Sequence, residues 1–439
     1  MADSRRAFLG KASAAIVYKL AGSASFLKAA GPNDQIGLGF IGSGIQGSIL
    51  MGQFVQMPGV RPVMVADLYD GCLARAKEQT GGVIETTKDY EKVLARKDVD
   101  AVVIAAPDHW HKRIVLDALA AGKHVYIEKP MTWSINEGQE MIAAEKRSGK
   151  LLQVGSQAKS STLTAKAREL VKSGALGKVN MIRMSNNRNS AEGAWAYPIP
   201  PDASPQTIDW RRFLGDRPKK PFDPSVFFRW RCWWDYSGGV ATDLFVHLLT
   251  TLHEIMDVPA PVSAVSQGGL YKWKDGRNVP DVMNSLFEYE SGFVADMYVN
   301  LCNARRGEPA TFMGTEATMV MDAGKLILYP EITRPNVQAY GSSSWPKAAR
   351  KAYFEANGYT ADGKPATPLP PPKEVQEVKV ERGPSHYEWF IISLREGKPS
   401  RENATEGHYA AGAAHIANMA YRHGCRMRWN FKTGKVNKD

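Results

Sequence analysis

Cysteine is scarce in this 439-residue chain: Cys72, Cys232, Cys302 and Cys425 stand far apart, with no CxxC pair and no Cys/His ligand spacing. That excludes a disulfide-stapled miniature fold and a thiolate metal finger; buried free thiols are the expectation, with pairing open only in an oxidising compartment. Past the amino terminus no segment offers eighteen uninterrupted apolar residues, so no stable membrane insertion is expected. No internal repeat is visible, which removes solenoids and propellers. Runs of like charge are missing as well. The net charge of +11 falls to +7, from 51 basic and 44 acidic residues, once the first thirty residues with their five Lys/Arg and one Asp are set aside. No basic run or nucleic-acid module accompanies that excess, and nucleic acid is not an expected partner.

What is present is ordinary globular composition, 44% hydrophobic and 23% charged. A chain this long exceeds what one core usually organises, so two domains are expected. Residues 4–11 read SRRAFLGK, with Arg5 and Arg6 ahead of Phe8 and Leu9, and a moderately apolar stretch follows to residue 27, interrupted by Lys19. This resembles a twin-arginine export signal, with small residues near 29–30 suited to cleavage. The competing reading is a basic amphipathic helix of a cytoplasmic protein. Export of a folded protein would make the mature chain periplasmic.

From residue 35 the chain alternates short apolar runs with longer amphipathic stretches. The runs at 36–41, 61–66, 101–105, 124–127 and 151–154 are the size of parallel strands covered on both faces. An α/β Rossmann domain over 31–160 is the reading. After about 178 the segments 179–185, 262–268, 282–289, 293–300, 311–313 and 318–321 are β-rich without regular intervening helices, which predicts an α+β domain over 161–439 with a large, mostly antiparallel sheet. Residues 332–384, rich in Pro, Ser, Gly and Lys, read as a surface excursion. Helices are predicted at 385–395 and 403–423, free to pack back on the first domain.

Gly42-Ser43-Gly44-Ile45-Gln46-Gly47 fits G-x-G-x-x-G directly after the first strand. Gly42 permits the tight turn, Gly44 lets backbone approach a pyrophosphate, Gly47 allows close helix packing, and the helix opening at Ile45 and Gln46 meets the phosphate charge. Asp67, ending the next strand twenty residues on, is placed to bind both ribose hydroxyls and to repel a 2′-phosphate, which favours NAD over NADP. The loop carrying Pro107, His109 and His111 follows the next clear strand and should border the cofactor, as should Glu128 and Gln157. A metal pair of His109 and His111 is the alternative, without a third ligand nearby.

Glu128-Lys129-Pro130 at the end of the fifth run and the segment 238–247, GGVATDLFVH, complete the pattern. With the glycine fingerprint they make the chain resemble the Gfo/Idh/MocA oxidoreductases over essentially all of 34–430 apart from the excursion. The resemblance implies that Lys129 contacts the nicotinamide region and a substrate hydroxyl, while Asp243 and His247 approach from the other domain. It also implies a homodimer or homotetramer paired through the broad sheet. Four residues apart, Asp243 and His247 share one face of a helix. Hydride loss from a secondary carbinol requires the hydroxyl proton to leave: His247 is the natural base, Lys129 stabilises the alkoxide, and Asp243 orients its neighbours. The bland alternatives are a Lys129–Glu128 pair and a helix braced by Asp243 and His247.

Aromatic residues crowd ahead of that segment. Trp230, Trp234 and Tyr236, with Arg188 and Arg229 between and upstream, are candidates for binding a sugar or glycoside, although about half of such rings belong to cores. Three functions remain: a sugar oxidoreductase with tightly bound NAD, in which a second compound takes the hydride; an NAD-dependent glycosidase working by transient C3 oxidation and elimination; and a noncatalytic NAD- or sugar-binding protein. A compartment without a nicotinamide pool favours redox-balanced chemistry.

Overall fold

The computed structural model describes residues 35–305, 307, 309–331, 340–367 and 374–439. The expected export segment within 1–30 and parts of the 332–384 excursion therefore lie outside the described residues. Among those described, no helix is long and apolar enough to cross a membrane, and all four cysteines are free.

The first sheet consists of β1 (Ile36–Ile41), β2 (Val60–Ala66), β3 (Glu85–Thr87), β4 (Ala101–Ile104), β5 (His124–Ile127) and β6 (Leu152–Val154). Its order is β3-β2-β1-β4-β5-β6 and every pair is parallel. The four residues of β4, Ala-Val-Val-Ile, are all buried, because helices cover both faces. Between β1 and β4 the winding direction reverses, and the carboxyl ends of these strands splay apart into the crevice where such folds take ligands. Only β3 escapes the sequence reading. It is a three-residue polar edge strand, Glu-Thr-Thr, with no apolar run to betray it.

The second sheet has ten strands: β7 (Val179–Asn187), β8 (Ser263–Gly269), β9 (Val282–Tyr289), β10 (Phe293–Asn300), β11 (Ala310–Gly314), β12 (Ala317–Asp322), β13 (Lys325–Pro330), β14 (Gln376–Val378), β15 (Met427–Asn430) and β16 (Lys435–Lys438). Their order is β14-β13-β12-β11-β7-β10-β9-β8-β15-β16, antiparallel throughout except between β7 and β10. Along β9 and β10 buried and less buried residues alternate, the signature of a sheet covered on one face. That covered face packs on the helices Val246–Met256 and Ala404–His423. Gly412 is required there, since a Cβ would stand 2.3 Å from the ring of Trp429.

The carboxyl-terminal helices tie the two sheets together. Phe390 and Ile391 of the helix His386–Glu396 pack with Leu38, Phe40 and Val65 of the first sheet. Ala404 joins the first domain's core, whereas Ile416 and Ala420, further along the same helix, join the second's. The 332–384 excursion is more regular than expected in its described parts. The Ala- and Lys-rich helix Lys347–Ala356 buries Phe354, and β14 pairs with β13 to extend the sheet.

Candidate active site

The glycine turn behaves as its spacing requires. Gly42 has φ +87° and a Cβ there would lie 2.6 Å from the carbonyl oxygen of Ala105; at Gly47 it would lie 2.1 Å from the oxygen of Gly42. Gly44 differs, because a Cβ on it would meet nothing within 4 Å and would instead project into open space. That space is a cleft of about 760 Å³ bordered by Gly42–Gln46, Asp67, Pro107 and, from the second domain, Tyr197, Phe228 and Trp230. The helix Ile45–Phe54 starts at its edge with no side chain capping the first-turn amides, so these amides and the helix dipole remain available to a pyrophosphate. Asp67 closes the turn. Its Oδ2 accepts from Ser43 N at 2.7 Å and its Oδ1 from Tyr69 N at 2.9 Å, while burial pushes its carboxyl above the ordinary value. These residues fit a dinucleotide with a free ribose 2′-hydroxyl.

A second cavity of about 360 Å³ adjoins the first, sharing Gln46, Ala105, Ala106, Tyr197, Trp230 and Arg231 with it. Lys129 enters from the end of β5, and its Nζ donates to Asp243 Oδ1 and to the Asp243 carbonyl oxygen, both at 2.9 Å. The alternative pairing with Glu128 is not what holds the ammonium. Glu128 instead accepts from Gln46 Nε2 at 2.9 Å, and burial raises its carboxyl. Asp243 takes two further donors, Arg231 Nε to Oδ1 at 3.1 Å and Trp195 Nε1 to Oδ2 at 3.2 Å. Burial alone would push its carboxyl up, but Lys129 and Arg231 outweigh that and hold it far below the usual carboxylate range. Asp243 is thus a permanent anion that aims Lys129.

Asp243 and His247 are brought together as expected, though not by a regular helix. Asp243 sits in a π-helical turn, Ala241–Phe245, which passes into the α-helix Val246–Met256 carrying His247. Such single turns recur at functional sites. Burial, reinforced by Lys129, pushes His247 down to about 3, so its imidazole is neutral at physiological pH rather than titrating near it. The group placed near neutrality is one that the sequence reading passed over. Asp108 opens the helix Asp108–Ala120, lines the cavity, and is only 3% exposed. Burial drives its carboxyl up to about 7, against the opposing pull of Arg231 and Lys129, while Asp243 adds to the rise and a hydrogen bond to Ser237 opposes it.

Gln157 and Arg188 line this cavity as well, and Trp230 borders both. Other expected contacts do not reach either space. Both ring nitrogens of His111 lie 2.8 Å from backbone carbonyl oxygens, those of Ala106 and Pro130, so the ring braces the two loops. His109 Nε2 meets the carbonyl of Phe213 at 2.8 Å, and the two histidines form no metal pair. Arg229 Nε donates to Tyr197 O at 2.7 Å, shaping the cavity wall rather than lining it. Trp234 packs against the second domain's core, and Tyr236 is fully buried beside Phe213. Ring type cannot distinguish a core aromatic from a binding one. Arg231, next to Trp230, and Asp108, next to His109, escape the sequence reading for the same reason: a one-residue step changes which way a side chain faces.

A parallel sheet with its glycine turn, joined to a cavity where the first domain's lysine is ion-paired by an aspartate of the second, defines a two-domain, dinucleotide-dependent oxidoreductase. Residues 36–156 match the family model described as oxidoreductase family, NAD-binding Rossmann fold, and residues 211–320 match the GFO/IDH/MocA C-terminal domain. The chain belongs to the Gfo/Idh/MocA oxidoreductase family, and its first domain binds NAD. Among curated relatives, inositol 2-dehydrogenase of Rubrobacter xylanophilus is 33% identical over 155 residues, 35% of this chain and 44% of that one. A glycosyl hydrolase family 109 protein of Shewanella baltica is 29% identical over 125 residues, 27% of each. These matches span less than half of each relative's length. The fold is shared with the aldose-aldose oxidoreductase of Caulobacter crescentus, solved with glycerol, at a TM-score of 0.63 and 16% identity over 90% of this chain and 99% of the other.

Proposed function

We propose that this protein oxidises a secondary carbinol of a sugar or glycoside, with NAD in the larger cleft taking up the hydride. The observation that carries the reading is the Lys129–Asp243 ion pair, formed across the domain boundary inside a cavity continuous with the nucleotide cleft. Lys129 Nζ, already fixed by two acceptors, donates its remaining hydrogen to the reacting oxygen and stabilises the charge that develops there. Proton uptake is matched best to Asp108, whose affinity lies near working pH. His247, held neutral, reads an adjacent hydroxyl, and Arg188 and Trp230 shape the fit to a polyhydroxylated ring. The names of the relatives, an inositol dehydrogenase and an aldose-aldose oxidoreductase, agree with such a substrate.

A second reading, glycoside cleavage through transient C3 oxidation, is favoured by Asp108 itself, since elimination needs a further group that can move a proton. The relatives named as glycosyl hydrolases point the same way. Purified protein supplied with free sugars and with aryl glycosides distinguishes the two. Oxidised sugar formed only when a carbonyl acceptor is present supports the first; aglycone released without an acceptor supports the second. In either case Lys129→Met is expected to lower turnover by about 10²–10⁴-fold, and wild-type protein that binds sugar without converting any would defeat both. We also propose export by the twin-arginine segment and a periplasmic location, which a fractionation comparing native protein with an Arg5→Lys/Arg6→Lys variant tests directly.

A further inference from the structure

The segment 198–231 of the second domain crosses the nucleotide cleft as a roof. Pro200, Arg212, Phe213 and Phe228 face the same space as the glycine turn and Asp67. What sets it apart from an ordinary covering loop is how many fastenings tie it to the first domain. Beside Asp67, the amide of Asp70 donates to Thr207 O at 3.0 Å, and the amide of Asp209 donates back to Leu68 O at 2.9 Å. Tyr69 pairs with Ile208 as an isolated β-bridge, and its hydroxyl donates to Asp202 Oδ1 at 2.5 Å. At the next loop Arg212 Nη1 reaches Asp89 Oδ1 at 3.1 Å and Lys88 O at 3.0 Å, while Lys88 Nζ returns to Thr207 O at 3.2 Å. At the third, Trp110 Nε1 donates to Phe213 O at 3.0 Å, and His109 meets the same oxygen.

These fastenings fall on the loops after β2 and β3 and on the first turn of the helix that follows β4, around the side of the cleft where Asp67 would hold the ribose of a dinucleotide. A nucleotide lying there could leave only after several bonds had opened together. We infer that 198–231 is a retaining strap that makes NAD a resident group of this enzyme rather than an exchanging cosubstrate. The inference rests on the proposed reading of the site and deepens it. With the nucleotide held in place, the hydride and proton removed from one carbinol, which becomes a ketone, must be delivered to the carbonyl of a second compound or returned to the same one, which becomes an alcohol.

The strap is tested by nucleotide exchange in the full chain, independently of turnover. Wild-type protein should keep its copurified NAD through gel filtration in nucleotide-free buffer and exchange it slowly with isotopically labelled NAD. Tyr69→Phe combined with Arg212→Ala removes two fastenings at little risk to the core, and should accelerate exchange at least ten-fold. Phe228→Ala, which thins the roof and removes the ring packed edge-on against Tyr69, should also accelerate it. Circular dichroism and the thermal midpoint establish that each variant is folded. Rapid exchange in wild-type protein, or equal rates in wild type and both variants, would overturn the strap while leaving the NAD site intact. A folded wild-type protein with no affinity for NAD would remove the strap and the functional reading together.

Discussion

Asp108 and His247 exchange the titration behaviour that their residue types suggest. A carboxyl normally near 3.9 is raised because burial penalises its charged form; an imidazole normally near 6.5 is lowered for the same reason and by Lys129 beside it. The two signs can be followed separately. Folding favours protonated Asp108, so the stability it contributes is complete below about pH 4 and is lost as pH rises through about 7. Folding favours neutral His247, so its contribution is present above about pH 6.5 and is lost as pH falls toward 3. For catalysis the consequence is one acid limb. The kcat/KM profile should rise through about pH 7, the limb should vanish in Asp108→Asn, and it should survive in His247→Gln. A limb that persists in the first variant and disappears in the second would return the base to His247. Trp195 belongs to this scale too. It holds Asp243 from a left-handed backbone position, φ 60°, costing about 1–3 kcal/mol for such a residue. Nothing in the local sequence marked Asp108, whose behaviour follows from burial, or the bond from Trp195 to Asp243, which lies far along the chain.

At the level of elements, the glycine turn and the π-helical turn illustrate two kinds of legibility. The turn between β1 and the helix Ile45–Phe54 was readable because its three glycines answer local steric demands, and the structure separates those demands cleanly. Gly47→Ala must displace the Gly42 carbonyl, so it should lower the thermal midpoint and weaken NAD binding together. Gly44→Val fills only the empty cleft, from a φ of −63° that any residue adopts; it should leave the midpoint within about 1–2 °C while abolishing NAD binding, read by calorimetry. NAD binding retained in a folded Gly44 variant would mean that the cleft is not where the pyrophosphate lies. The π-helical turn at Ala241–Phe245 was not readable. Helical spacing predicted that Asp243 and His247 would meet, but the widened turn depends on packing against the second sheet and against Lys129. Likewise β8 to β12 were visible through alternation and β-rich composition, whereas β14, β15 and β16, at three or four residues each, form only because a sheet edge is there to pair with.

Across the whole molecule, the outward face of the ten-stranded sheet carries no helix among the described residues, and Leu286, Val294 and Tyr329 stand there at 44%, 43% and 43% exposure. Leu286 and Val294 are diagonal neighbours on β9 and β10, and a symmetric pairing of two such faces is the assembly we propose. Leu286→Lys with Val294→Glu should reduce the mass measured by sedimentation from that of an oligomer to that of one chain, with circular dichroism unchanged. An unaltered mass would place the interface elsewhere. Sequence by itself determined the Rossmann alternation, the NAD turn and the mostly antiparallel second sheet, because each follows from rules that act over a few residues, strand burial and turn sterics, whereas Lys129, Asp243 and His247 came from the family resemblance, with helical spacing adding only that the last two should meet. Tertiary structure alone decided which aromatics are core, which group titrates near neutrality and what roofs the nucleotide. Those properties depend on desolvation and on charges brought together from the two domains, and neither burial nor a distant partner is encoded in any local stretch of the chain.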